Sequence, residues 1–164
     1  MTGIISDNLG RSSGLLKAAG GGGKILQVVA GPEIGVSTTT TSNSWAAMNL
    51  EVDITPSATS SKIFVAAMFM SRAQDGSGSH NNARFTLYRD STNLGDANGG
   101  LHANVGNGRV MECTVIYLDS PSTTSSVKYE IYARCFSSRA IIIGDGDGSV
   151  LPHQVIYAFE VDGS

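Results

Sequence analysis

Charge is scarce in this sequence. Only 15% of its 164 residues are Asp, Glu, Lys or Arg, where an ordinary soluble domain has about 25%. The polar surface must therefore come mostly from Ser and Thr hydroxyls, amides and the backbone of 20 glycines. A formal net charge of −3 leaves no basic footprint, which argues against nucleic acid as a partner. Long apolar runs are missing as well, with nothing near the ~20 residues that span a bilayer, so no membrane insertion is expected. Residues 1–18 lack the charged start and continuous apolar stretch of a signal peptide, and synthesis in a cytoplasm is the expectation. Two cysteines, Cys113 and Cys135, are too few for a disulfide framework and do not have CxxC spacing. Both lie in strand-like runs where Cys behaves as a small hydrophobe, so buried thiols are expected, with a bridge between them as the lesser alternative.

Patterns that carry chemistry are equally thin. Residues 19–25 (AGGGGKI) have the glycines and lysine of a phosphate-binding loop. That loop needs a Ser or Thr after the lysine and a following helix, whereas Ile25 follows here and a strand begins. His80, His102 and His153 are scattered among loop-like segments without the spacing of metal ligands. No GxSxG elbow is present, and no carboxylate pair stands out for glycan hydrolysis. The sequence therefore predicts no catalytic residues, no cofactor and no metal. The one open point is residues 144–148 (GDGDG). Asp145 and Asp147 could turn oxygens toward a calcium ion, but the closing Glu of a twelve-residue loop is absent and Asp-Gly is an ordinary turn pair.

What is present, from Lys24 onward, is a series of short runs rich in β-branched and aromatic residues between Gly, Ser, Asp, Asn and Pro clusters. Strands are expected near 24–30, 34–41, 45–54, 62–71, 83–90, 110–118, 127–136, 139–143 and 154–161. Alternation places Ala46, Met48, Leu50, Val52 and Ile54 on the inward face of their strand. It does the same for Val127, Tyr129, Ile131, Ala133 and Cys135, and for Val155, Tyr157, Phe159 and Val161. Residues 56–61 (PSATSS) and 121–126 (PSTTSS) echo each other as connections between antiparallel neighbours. The fold class predicted is all-β: one antiparallel β-sandwich of jelly-roll type over residues 24–164.

The strand at 62–71 departs from alternation, because Phe64, Val65, Ala66, Ala67, Met68, Phe69 and Met70 leave no polar face. Such a strand is covered on both sides, and a subunit interface is the more economical second cover, with Phe64, Met68, Phe69 and Met70 as its candidate residues. Residues 1–23 form a separate unit, an N-terminal docking arm followed by a four-glycine hinge. Its apolar Ile4, Ile5, Leu9, Leu15 and Leu16 are candidates to dock on a partner protein, the alternative being a disordered terminus. The stretches 74–82 and 93–109 are expected to be long polar loops, where a binding surface would lie. His80, Tyr88, Arg89, His102 and Asn104 are the candidates there for contact with a host surface glycan, beside the plainer reading of solvated loops.

Residues 7–18 (DNLGRSSGLLKA), 23–29 (GKILQVV), 54–57 (ITPS) with 60–63 (SSKI), 87–95 (LYRDSTNLG) and 118–123 (LDSPST) carry a resemblance. Together they resemble a family of small virion structural and fibre proteins of marine and freshwater bacteriophages, including cyanophages. The likeness spans nearly the whole chain. It implies a homotrimeric β-structure in a virion, on a tail or neck fibre or as a capsid decoration, with no catalytic residues to carry over. The function expected is that of a non-enzymatic structural component, a small trimeric fibre protein anchored to other virion proteins by its N-terminal arm. The alternatives are a capsid decoration (cement) protein and a module that recognises host surface glycans.

Overall fold

The structure is a computed structural model that describes residues 24–33, 36–73, 81–106, 110–135, 140–144 and 154–163. Among these residues the chain is all strand and connection. The eleven strands are β1 (Ile25–Ala30), β2 (Thr38–Thr40), β3 (Ala46–Ile54), β4 (Lys62–Ala73), β5 (Asn81–Arg89), β6 (Thr92–Asn93), β7 (His102–Gly106), β8 (Val110–Asp119), β9 (Val127–Cys135), β10 (Ile141–Ile143) and β11 (Val155–Val161). Two antiparallel sheets result. The first runs β1-β11-β4-β10-β2, with β8 on the other edge of β4; the second runs β3-β9-β5-β6, with β7 also on β5. The twelve-residue β4 organises the first sheet, pairing with β11 over 62–68 and β10 over 71–73 on one edge, and with β8 over 63–72 on the other.

The long strands change layer at each step along the chain except from β5 to β7, in spatial order β1-β11-β4-β8 against β3-β9-β5-β7. Residues 56–61 lead from β3 to β4 and residues 121–126 from β8 to β9. Each of the two echoing segments thus crosses from one sheet to the other, and does not join hydrogen-bonded neighbours as expected. The core between the layers takes Met48, Leu50 and Ile54 from β3, Ile63 and Val65 from β4, and Phe85 from β5, all essentially inaccessible. Each such side chain contributes about 2 kcal/mol by leaving water. The expected inward faces of β3 and β9 are the observed ones: Met48, Leu50, Val52 and Ile54 are buried with Ala46 partly so, and all five β9 positions are buried. Cys113 and Cys135 are buried and in no disulfide.

Two further expectations are corrected by the strands themselves. In β11 the inward residues are Ile156, Ala158 and Glu160, while Val155, Tyr157, Phe159 and Val161 face outward. Both faces of this strand are apolar, so alternation shows its period but not its phase. Glu160, on the inward side of β11, is fully buried. Its Oε1 accepts from Ser57 N (2.7 Å), Ser57 Oγ (2.6 Å) and Ser61 Oγ (2.6 Å), and its Oε2 from Gln27 Nε2 (2.7 Å). Burial alone would raise its pKa, but the serine and glutamine donors outweigh it and hold the carboxyl at about 2. The second correction concerns residues 93–109, expected as an open polar loop. The described part forms β6, an Asp96–Gly100 bridge and β7, built by side-chain-to-backbone bonds that hydrophobic periodicity does not register.

Candidate functional site: two unlike outer faces

A β-sandwich presents two outer faces, and here they are built on different chemistry. On the first sheet the register aligns Val28, Phe159, Phe64 and Leu118 across β1, β11, β4 and β8. The next outward row is Ala30, Tyr157, Ala66 and Ile116, and beyond it Val155, Met68 and Thr114. Phe159 packs at 6.0 Å from Phe64 and 6.3 Å from Tyr157, centroid to centroid. This surface stays bare: Ile116 is 59% exposed, Leu118 and Val28 54%, and Met68 49%. Charge is confined to its ends, with Lys62 beside Val161 at one, and Glu112 beside Met70 and Arg72 beside Val110 at the other.

The outer face of the second sheet is polar, aromatic and closed by its own chain. Tyr88 and Tyr132 stack at 3.9 Å. Lys128 bridges Glu51 at 3.0 Å and Glu130 at 2.9 Å, and those two carboxylates push its pKa up. Glu130 also accepts from the backbone N–H of Asn49, which has φ 60° inside an irregularity of β3 between Ala47 and Glu51. Asn tolerates that left-handed conformation well. Further along, the turn at 96–100 folds back over Thr86 and Phe85. Asp96 accepts from the N–H groups of Gly99 and Asn98, which lowers its pKa. Trp45 Nε1 donates to Ala97 O at 2.9 Å, and the Arg134 guanidinium lies 5.5 Å from the Trp45 ring.

Between the sheets, at one end of the core, Arg89 Nη1 donates to Asp119 Oδ1 at 3.0 Å and Oδ2 at 2.8 Å, and Tyr129 Oη donates to Oδ2 at 2.7 Å. Burial and the Asp119 carboxylate push the Tyr129 pKa up, so the phenol remains a donor. This triad joins β5, β8 and β9, tying one sheet to the other.

Set against these surfaces, the residues singled out from sequence separate. Phe64, Met68 and Met70 face outward from β4, but Phe69 does not: it is 2% exposed and meets Phe85 edge-on at 5.0 Å. Strict alternation along β4 puts it with Ile63, Val65 and Ala67 in the core, so Phe69 is no interface residue. Tyr88 lies on the outer face of the second sheet, whereas Arg89, one residue on, points inward and is engaged by Asp119. The two side chains leave opposite faces of β5. His102 is partly buried with its ring 6.2 Å from Phe85, and Asn104 contributes its backbone to β7 opposite Ala83, its side chain lying outside the description. Ile4, Ile5, Leu9, Leu15, Leu16, His80, Asp145 and Asp147 lie outside the described residues. Sequence reasoning missed Ile116 and Leu118, though Val115-Ile116-Tyr117-Leu118 has the same two-faced apolar signature as β4. It also missed Tyr132 and Trp45, for which no local pattern pointed to a surface cluster.

Among the described residues, no group of three or more His, Cys, Asp or Glu could hold a metal ion, and no helix is long and apolar enough to cross a membrane. No protein-family model and no curated protein matches the chain.

Proposed function

We propose that this chain is a non-enzymatic structural component of a bacteriophage virion, a small fibre protein that works as a homotrimer and is anchored by its N-terminal arm. The observation that carries this reading is the bare apolar face of β1, β11, β4 and β8. A domain meant to stand alone seldom leaves a contiguous apolar patch of that extent in water, whereas a building block has such a face covered by its neighbours. The strand order supports the finer reading of a jelly roll: numbered one to eight along the chain, the long strands lie as 1-8-3-6 over 2-7-4-5, as two interleaved Greek keys require. A capsid decoration protein would use the same face in the same way, differing only in where it sits.

A second reading, recognition of a host surface glycan, is favoured by the Tyr88–Tyr132 stack on the opposite face, since aromatic surfaces combine an apolar body with a polar tip. Antibody labelling of intact particles tests the leading reading. Label at regular positions on fibres or head is the expected result, and purified particles devoid of the protein would overturn it. A glycan array with reducing-end analysis separates recognition from cleavage.

A further inference from the structure

We infer that β1 is a detachable strap: it opens from β11 as a unit, pivoting at Gly31 while the rest of the sandwich stays folded, and the Gln27 side chain is its catch. Strands differ in local stability according to the apolar surface each one buries. Along the six residues Ile25–Ala30 not one is buried, although β11 beside them seals Ile156, Ala158 and Glu160 inside. Ile25, Leu26 and Val28 are exposed, and from this strand Val29 alone packs against the core. Among the described residues β11 is the one strand that pairs with β1. That ladder is short and interrupted, because Leu26 bulges out between the Ile25↔Val161 and Gln27↔Glu160 pairs.

The two ends of the strap are held differently. At its C-terminal end the Gly31 N–H donates to Ile156 O at 2.8 Å, and a Cβ on Gly31 would collide with Glu51 O and Ile156 Cγ2. The backbone is clamped between the two sheets at that point, so an opening strand swings no further than Gly31. At the other end the ladder closes on a single backbone bond, from the Asp162 N–H to Lys24 O at 2.9 Å. Between them, Gln27 Nε2 donates to Thr55 O and to Glu160 Oε2, each at 2.7 Å. One amide thus ties β1 both to the chain leaving β3 and to β11. A bond to a carboxylate is stronger than one between neutral groups, and Gln27 is the side chain that holds the strap shut. Residues 1–23 precede β1 in the chain. Under the anchored-fibre reading, on which this consequence alone rests, a pull on the arm meets the Ile25 end of the ladder first and peels it toward Gly31 before load reaches the core.

Hydrogen exchange of single amides in the full chain, followed by NMR, tests the strap. The bond from Gly31 to Ile156 fixes the alternation along β11: the Ala158 and Glu160 amides point at β1, and those of Tyr157 and Phe159 at β4. The expected result is that Ala158 and Glu160 exchange at least about a hundredfold faster than Tyr157 and Phe159. Their rates should rise little in urea below the unfolding transition, since opening the strap exposes little surface. Gln27→Ala should speed the first pair about tenfold and leave the second pair as it is. Four amides exchanging at one rate with a shared urea dependence would overturn the strap. Parent rates throughout in the Gln27→Ala chain would overturn the assignment of its catch. Neither result touches the structural-component reading, which the particle labelling judges separately.

Discussion

The two outer faces of the sandwich are built on strands of similar length in one chain, yet one is finished and the other is not. Over the second sheet the chain spends a turn, a tryptophan, a tyrosine stack and a Lys128 bridge on closing the surface. Over the first it spends nothing, and leaves Phe64, Met68, Tyr157, Phe159, Ile116 and Leu118 facing out. Charge follows the same division: Glu51, Lys128, Glu130 and Arg134 cluster on the closed face, while the open one is charged only at its ends. In a chain with so few charges, their allocation to one side leaves the other apolar, and the proposed assembly rests on that asymmetry.

The sharpest way to break this comparison is to place one charge on either side of β4. Phe69→Asp buries a carboxylate against Phe85. The lost core packing alone costs about 3–5 kcal/mol, and with the unpaired charge the total should exceed a stability of about 5–15 kcal/mol. No folded protein is expected by circular dichroism. Phe64→Asp, five residues earlier and on the open face, should fold.

A smaller effect is expected at the tie between the sheets. Asp119→Ala strands the Arg89 guanidinium and the Tyr129 hydroxyl, and breaking such a pair from one side costs about 3–5 kcal/mol. The urea midpoint should fall with little change in slope. An unchanged midpoint would mean that water replaces Asp119 without loss.

Glu160 gives the mildest and most specific effect. Its pKa of about 2 lies below the 4.5 of an ordinary glutamate, so between those values the unfolded chain binds the proton more readily. The stability it contributes is fully present above pH 4.5 and is lost as pH falls toward 2. Glu160→Gln should lower the melting temperature at pH 7 and narrow its gap from the parent as pH drops through that window. A constant gap would contradict the assignment.

The comparison also explains what was legible in the sequence. Strands with one polar face, such as β3 and β9, declare both period and phase, and their buried residues were placed correctly. On the open sheet both faces are apolar: the sequence of β4 shows no alternation, and that of β11 shows its period but not its phase. Phe69 therefore stands beside Phe64 as an interface candidate although it is buried, and Tyr157 and Phe159 read as core although they face outward. Glu160 compounds this, since a carboxylate buried by two serines and a glutamine from distant segments has no local signature. Residues 93–106 were hidden for a related reason: Asn93, Asp96 and Gly99 build that segment through side-chain-to-backbone bonds. The closed face, which gathers Trp45, Tyr88, Tyr132 and Arg134 from three parts of the chain, was not assembled at all.

The central claim is that copies of this chain cover the apolar face that one copy leaves bare, and light scattering over a dilution series tests it most directly, with the parent run beside Leu118→Asp and Met68→Asp, two changes at exposed positions of that face. The parent should scatter as an oligomer at high concentration, while both folded variants scatter as monomers throughout. A parent that scatters as a monomer at every concentration would contradict the claim.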